Sequence, residues 1–324
     1  MAIVAVTGAT GFIGRHTLPL LLEHGHQVRA LVRPGSERNL PFGIEASAGD
    51  VVDRSSLDQL TRGAEIVLHL AGVAHTDLDG TAERELARNI NVGGATNLLE
   101  SAKRNGVRRV VIASSVHVYA EQAGESVKED APLVAENFYA ATKIEVEKTA
   151  REFSGSGLEV VIGRPCLTYG PGVQFNLFRL MKAIDRGTYF HAGRVKVERS
   201  FGSVYSAAAA FRFLAEKGKP GEAYNIADER AMLLEDFTND IADRIKRKRP
   251  KRLPYAALWT TAAGFSALKP LGLRGPINLA SLNKLTRSFS VSTAKLSAAG
   301  FIWPDTGERG RQEMVNSYLA ACTG

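Results

Sequence analysis

Tyr139 and Lys143 stand four residues apart in Tyr139-Ala140-Ala141-Thr142-Lys143. On a helix that spacing puts both side chains on one face. An ammonium beside a phenol lowers the phenol's pKa by charge proximity, which makes tyrosine an acid/base usable near neutral pH. Upstream, the apolar run Val110-Val111-Ile112-Ala113 ends in Ser114-Ser115, two hydroxyls at the end of a strand. A third group opens the chain. Gly8, Gly11 and Gly14 follow the run Ile3 to Val6 and precede Leu18, Leu21 and Leu22 at helical spacing. Strand, glycine turn, helix is the order a dinucleotide site needs. The first glycine permits the turn, the second lets backbone approach the pyrophosphate, and the third lets the helix pack on the strand. The spacing here is Gly-x-x-Gly-x-x-Gly, not the Gly-x-Gly-x-x-Gly of typical dehydrogenases.

The elements that must position these groups alternate. The pattern predicts a first helix over Leu18–Glu23, ending near Gly25, and a second strand over Gln27–Val32. An acidic residue at that strand's end would hold the ribose hydroxyls and select NAD. Arg33 stands there instead and suits the 2′-phosphate of NADP. Gly49-Asp50-Val51-Val52-Asp53 reads as the close of a third strand, with Asp50 assigned to the cofactor and Asp53 to capping the next helix. Strand four is expected over Glu65–Leu70, running into Ala71-Gly72-Val73, where small residues admit a cofactor. Glu83–Asn105 reads as one long helix with Leu86, Ile90, Leu98 and Leu99 inward. Asn91 sits in mid-helix, a poor choice by propensity that calls for a buried polar contact or a solvent-facing position. Strand five, Arg109–Ser114, and strand six, Glu159–Gly163, complete the rhythm. The Pro/Gly cluster in Arg164-Pro165-Cys166-Leu167-Thr168-Tyr169-Gly170-Pro171-Gly172 ends it. Leu177–Asp185 and Ala207–Glu216 read as helices, and Ala223–Ile226 as a strand that can return to the main sheet.

This pattern predicts an α/β fold of the Rossmann type: a doubly wound parallel sheet over residues 1–172, rejoined by 204–228. A smaller, mixed substrate domain takes 173–203 and 229–324.

Composition bounds the function. The 324 residues suit one large or two smaller domains, and 44% hydrophobic with 23% charged residues is an ordinary globular balance. A net charge of +7 points to an anionic partner. The run Arg244-Ile245-Lys246-Arg247-Lys248-Arg249-Pro250-Lys251-Arg252 has no interleaved aromatics and reads as a solvated helix end, not a nucleic-acid site. Two cysteines, Cys166 and Cys322, make no disulfide framework, and with no visible signal peptide the expectation is a reducing, cytoplasmic compartment. Tyr255–Leu268 is apolar but too short to span a membrane. No histidine has metal-ligand spacing, so no metal is expected.

Taken together, Gly8-x-x-Gly11-x-x-Gly14, Ser114-Ser115, Tyr139-x-x-x-Lys143 and Arg164-Pro165 resemble the extended short-chain dehydrogenase/reductases, and most of all their NAD-dependent epimerase/dehydratase branch, which acts on nucleotide sugars. The resemblance is dense up to Gly172 and thinner afterwards. It implies that Ser115, four residues before Tyr119, hydrogen-bonds the sugar oxygen, that Tyr139 is the acid/base, and that Lys143 holds the nicotinamide ribose. The cofactor, NADP or NAD with NADP favoured, would be held by Gly8, Thr10, Gly11, Phe12, Ile13, Gly14, Arg33, Asp50, Val51, Leu70, Ala71, Gly72, Asn91, Ala113 and Pro165 besides Tyr139 and Lys143. Asn176 and Arg199 match residues that contact the substrate's diphosphate and nucleotide. The resemblance also implies a homodimer through the Glu83–Asn105 and Tyr139–Phe153 helices.

Three chemistries share this scaffold. A 4,6-dehydratase needs Thr-Asp-Glu at the catalytic loop, because elimination requires an extra acid and base. Ser115-Val116-His117 stands there instead, with His117 read as structural or superficial, so dehydration is disfavoured. A 4-epimerase or a 4-keto reductase remains, both with Tyr139 as acid/base. Two other classes stay open: an NADP-linked reductase of a non-sugar ketone, and a non-catalytic NAD(P)-binding sensor.

Overall fold

A computed structural model describes residues 1–74, 80–120, 123–155, 157–193, 195–268, 282 and 285–323. Part of the 229–324 segment, residues 269–281 and 283–284, therefore lies outside the described residues. Seven parallel strands form the central sheet in the order β11-β6-β5-β4-β1-β2-β3. They are β1 (Ile3–Thr7), β2 (Gln27–Val32), β3 (Ile44–Ala48), β4 (Ile66–His69), β5 (Arg109–Ala113), β6 (Glu159–Pro165) and β11 (Ala223–Ile226). β11 pairs in parallel with β6, so the chain beyond residue 204 does rejoin the sheet.

Alternation along the strands sorts the core onto two faces. Val4, Val6, Ile66, Leu68, Val111 and Val161 face α1 (Gly14–Glu23) and α7 (Val204–Lys217), meeting Leu18, Leu21, Phe211 and Leu214. Ala5, Val67, Val110, Ile112, Val160 and Ile162 face the other way. They pack on α2 (Arg54–Thr61), α4 (Gly94–Arg104) and α5 (Phe138–Ser154) through Leu57, Leu60, Leu98, Leu99 and Val146.

A separate apolar cluster gathers the later helices. Leu177, Met181 and Ile184 of α6 (Asn176–Asp185) meet Phe237, Ile241 and Ile245 of α8 (Leu234–Ile245). Met314, Val315 and Tyr318 of the C-terminal helix Glu308–Thr323 close the cluster, and Phe201 stacks on Phe237 at 3.9 Å between ring centroids. Small strand pairs tie it to the sheet end: β7 (Leu167–Tyr169) with β10 (Phe201–Ser203), β8 (Phe190–Ala192) with β13 (Lys251–Leu253), and β9 (Glu198–Arg199) with β12 (Met232–Leu233).

Several expectations need correction. The third strand is Ile44–Ala48 and not the Gly49–Asp53 stretch; as an edge strand it buries little, so its sequence carries almost no alternation. Asp50 therefore lies in the turn beyond it, accepting from Val52 N at 3.2 Å, while Asp53 caps α2 by accepting from Ser55 N and Ser56 N. The first helix starts at Gly14, one turn earlier than its leucines suggest. Glu83–Asn105 is not one α-helix. α3 (Thr81–Arg88) and α4 are joined by a π-helical turn, Asn89–Gly93, which shifts the helix register. Leu86 is accordingly 61% exposed instead of inward.

The basic run forms the predicted helix end. α8 stops at Ile245, and Lys246 takes the left-handed conformation. Arg244, Arg247, Arg249 and Arg252 are each paired, with Asp240, Asp185, Asp243 and Glu235 respectively.

Candidate active site

The glycine turn is built for close backbone approach. Gly8 has φ +71, and a Cβ there would lie 2.5 Å from Ala71 N. At Gly14 a Cβ would lie 2.1 Å from Gly8 O, so only hydrogen lets α1 seat on the turn. α1 has no side-chain cap at Ile13; Arg15 N donates to Gly11 O and His16 N and Thr17 N to Ile13 O, so its start is closed by the backbone of the glycine turn. A cavity of about 260 Å³ opens over this turn, lined among others by Gly8, Thr10, Gly11, Arg33, Asp50 and Gly72. Val51, Ala71 and Ser36 also face it. The glycine cradle at the start of α1 fits a dinucleotide pyrophosphate.

Phe12, Ile13, Gly14, Leu70, Ala113 and Pro165 stand outside that lining. Phe12 lies under the Arg15 guanidinium at 5.2 Å, and Ile13 packs into the core beneath α1. Leu70, Ala113 and Pro165 mark the carboxyl ends of β4, β5 and β6, where an open α/β sheet places ligands.

Asn91 resolves the mid-helix anomaly. It is 3% exposed and clamps the loop after β4: Val73 N donates to its Oδ1 at 2.7 Å, and its Nδ2 donates to Val73 O at 3.1 Å and to Thr142 Oγ1 at 3.1 Å. The π turn aims it there. A Cβ on Gly72 would meet both Asn91 Oδ1 at 3.1 Å and Lys143 Nζ at 3.3 Å, so Asn91 and Lys143 reach the edge of the glycine cavity.

Lys143 Nζ donates to Ala113 O at 2.8 Å. Burial lowers its pKa to about 8, against the pull of Glu147. Tyr139 departs from expectation: burial raises its pKa, and a hydrogen bond with Ser115 works the other way. Desolvation outweighs charge proximity, because the ammonium is spent on a carbonyl and lies 5.9 Å from the phenol ring's centre.

The two serines divide their work. Ser114 donates to buried Glu147 at 2.6 Å. Glu147 also receives Arg164 Nε at 2.8 Å and Nη2 at 2.6 Å, with both side chains 1% exposed. Ser115 instead lies 3.1 Å from His117 Nδ1, and the His117 ring meets Tyr139 edge-on at 5.9 Å. His117 is exposed, but into a second cavity of about 360 Å³ that also holds Asn176 and Arg199. Leu177, Leu180, Phe201 and Phe289 give that cavity an apolar wall. Ser115 and Tyr139 thus stand between the glycine cavity and this one. A larger cavity of about 570 Å³, near Tyr169, Asp228 and Arg311, holds none of the residues singled out from the sequence.

The model of the NAD dependent epimerase/dehydratase family matches residues 4–227. The chain belongs to that family. Its relatives, epimerases and dehydrogenases of the extended short-chain dehydrogenase/reductase type, include one named as a 3 beta-hydroxysteroid dehydrogenase/Delta 5-->4-isomerase of Mycobacterium tuberculosis, 26% identical over 315 residues, 90% of this chain and 84% of that one. A UDP-glucose 4-epimerase of Vibrio cholerae is 32% identical over 189 residues, 57% of this chain and 57% of that one. The N-acetyl-α-D-glucosaminyl-diphospho-ditrans,octacis-undecaprenol 4-epimerase of Escherichia coli O157:H7 is 25% identical over 314 residues, 95% of this chain and 92% of that one. A solved UDP-glucose 4-epimerase of Thermotoga maritima, with UDP-glucose, superposes with a TM-score of 0.78 over 99% of this chain and 100% of that one, at 20% identity. Among the described residues of this epimerase/dehydratase-family chain, no helix is long and apolar enough to cross a membrane.

One residue escaped the sequence reading, and a second, His117, was read there as structural or superficial. Ser36 lines the glycine cavity beside Arg33, three positions on, in a turn closed by Ser36 N donating to Arg33 O. His117 was legible from its place two residues after Ser115, but nothing in its spacing said that a 3₁₀ turn, Val116–Val118, would aim it at the cavity.

Proposed function

We propose that the chain acts on a nucleotide-diphosphate sugar, moving hydride at a ring carbon as a 4-keto reductase or a 4-epimerase. The observation that carries this is the juxtaposition just described: Ser115 and Tyr139 lie between the glycine cavity and the cavity of His117, Asn176 and Arg199. When bound, the dinucleotide supplies or takes the hydride. Ser115 orients the sugar oxygen, Tyr139 gives or takes its proton, and Lys143 holds the ribose and stabilises phenolate charge. Asn176 and Arg199 bind the diphosphate end.

Between the two reactions, the site favours the reductase. At the end of β2, Arg33 and Ser36 line the cavity, and Arg33 meets no carboxylate among the described residues, which suits the 2′-phosphate of NADP. The reading extends to a homodimer through the outer faces of α3, α4 and α5, where exposed Leu86 would be covered. The apolar wall of the second cavity favours one other reading, reduction of a non-sugar ketone. Competition of substrate by UDP separates the two: inhibition supports the nucleotide sugar, and indifference to UDP supports the apolar ketone.

The cofactor is tested by denaturing the purified chain, identifying what is released, and titrating NADPH and NADH by fluorescence. An empty site that prefers NADPH is expected. Arg33→Asp should then reverse the preference, by roughly tenfold or more in the ratio of dissociation constants, since it exchanges a charge-assisted contact for repulsion. Stoichiometric NAD retained through purification would instead mark a 4-epimerase that recycles its own hydride.

A further inference from the structure

We infer that the helix α9 (Tyr255–Leu268) and the basic strand before it dock on an anionic lipid surface. The inference goes beyond the proposed reaction and is read by binding alone. Among the residues of α9 whose burial is described, 255–265, Leu258 and Ala262 are the buried ones, against Ala192 and Leu282. Its other side is open: Tyr255 is 44% and Trp259 49% exposed. From Tyr255 to Leu268 there is no charged residue. The hydroxyls of its two threonines are turned back onto the helix: Thr260 Oγ1 and Thr261 Oγ1 both donate to Ala257 O, at 3.0 and 2.8 Å. Leu253 and Val195 widen the apolar patch at the start of α9, where Gly193 comes within 3.3 Å of Tyr255 Cβ once given a Cβ of its own.

Charge decides the partner. Four arginines of the basic run are neutralised by carboxylates, but Lys246, Lys248 and Lys251 are exposed and pair with none among the described residues. An uncharged face with an exposed tryptophan and tyrosine, bordered by free lysines, matches the interface of a bilayer. Indole and phenol sit at headgroup depth, and ammonium groups meet acidic lipid. A second copy of this chain would bring the same lysines against each other. The patch also adjoins the substrate cavity: Leu285 packs in the cluster of Leu258 and Ala262 and lines the cavity of Asn176 and Arg199.

The test is co-sedimentation of the full chain with vesicles of phosphatidylcholine alone and of phosphatidylcholine mixed with phosphatidylglycerol. Binding to the mixed vesicles is expected, weakening with salt, with a blue shift of tryptophan emission. Trp259→Phe should abolish the shift, since Trp303 donates to Ala227 O inside the fold and stays as a folding reference. Replacing Lys246, Lys248 and Lys251 with Ser should lower affinity by about fivefold each, on the order of a hundredfold together. Equal sedimentation with both vesicle types, or binding untouched by the lysine changes, overturns the inference. So does a dimer in light scattering that Trp259→Ala converts to monomer, since the patch would then serve a second copy. Because dinucleotide titration of the same variants reads the glycine cavity separately, failure here leaves the proposed reaction standing, and the reverse holds.

Discussion

Tyr139→Phe should lower kcat by about a hundredfold to ten-thousandfold, the range that a positioned acid/base contributes, while the dissociation constant for the dinucleotide stays within about twofold. The phenol oxygen is the only group lost, and Lys143, Ala113 and Asn91 keep their contacts at the edge of the glycine cavity without it. Single-turnover hydride transfer, paired with fluorescence titration of the cofactor, checks both halves. A kcat unchanged by the substitution would sink the catalytic reading and leave a non-catalytic nucleotide sensor.

The same site fixes a pH dependence. Lys143 is held at about 8 by burial, well below the ordinary lysine value of 10.5. A base with a depressed pKa loses its proton earlier as pH rises. The ammonium is therefore present below about pH 8 and lost above it, and kcat/KM, which reports the free enzyme, should fall on an alkaline limb near 8. Tyr139, raised by burial, keeps its proton over the same window and does not produce that limb. Lys143→Arg should carry the limb out of range even if it lowers the maximum.

The second large effect is on stability. Arg164→Met should cost about 3–5 kcal/mol, because Glu147 would be left buried and charged with only Ser114 and the distant edge of Arg151 to offset it. Arg164 also donates to Tyr119 OH at 2.5 Å and to Glu129 O at 2.9 Å, so the loss reaches the segment carrying Ser115. Urea unfolding should show a lower midpoint at unchanged slope. The double variant with Glu147→Leu should recover much of the loss, since removing both charges leaves none unpaired. A single variant as stable as the parent would mean that water reaches Glu147.

The central strands β4, β5 and β6 were legible from their apolar runs Ile66–Leu68, Val110–Ala113 and Val160–Ile162, and β2 and β11 fall on the predicted Gln27–Val32 and Ala223–Ile226 although Arg29 and Asn225 interrupt theirs. β3 was not, since an edge strand with Ser47 as its only buried residue leaves no periodic mark. Asn91 was flagged by propensity, but its contact depends on a π turn, and an inserted residue in a helix has no composition signature. The inward assignment of Leu86 failed for the same reason: a register read through the turn from Leu98 and Leu99 is displaced before it reaches residue 86. The glycine turn was readable because each glycine answers a local steric demand. The division between Ser114 and Ser115 was readable only in part, since it rests on Glu147 and Arg164 arriving from two other elements.

The returning strand has a kinetic consequence. β6 ends at Pro165, and its outer edge stays without a neighbour until Ala223–Ile226 has been made and delivered. At ~5–20 residues per second of synthesis, the intervening stretch of about 60 residues leaves a hydrophobic parallel edge open for roughly 3–12 s. The nascent polypeptide thus passes through a window in which the edge of β6 opposite β5 stands unpaired and can recruit a neighbouring chain.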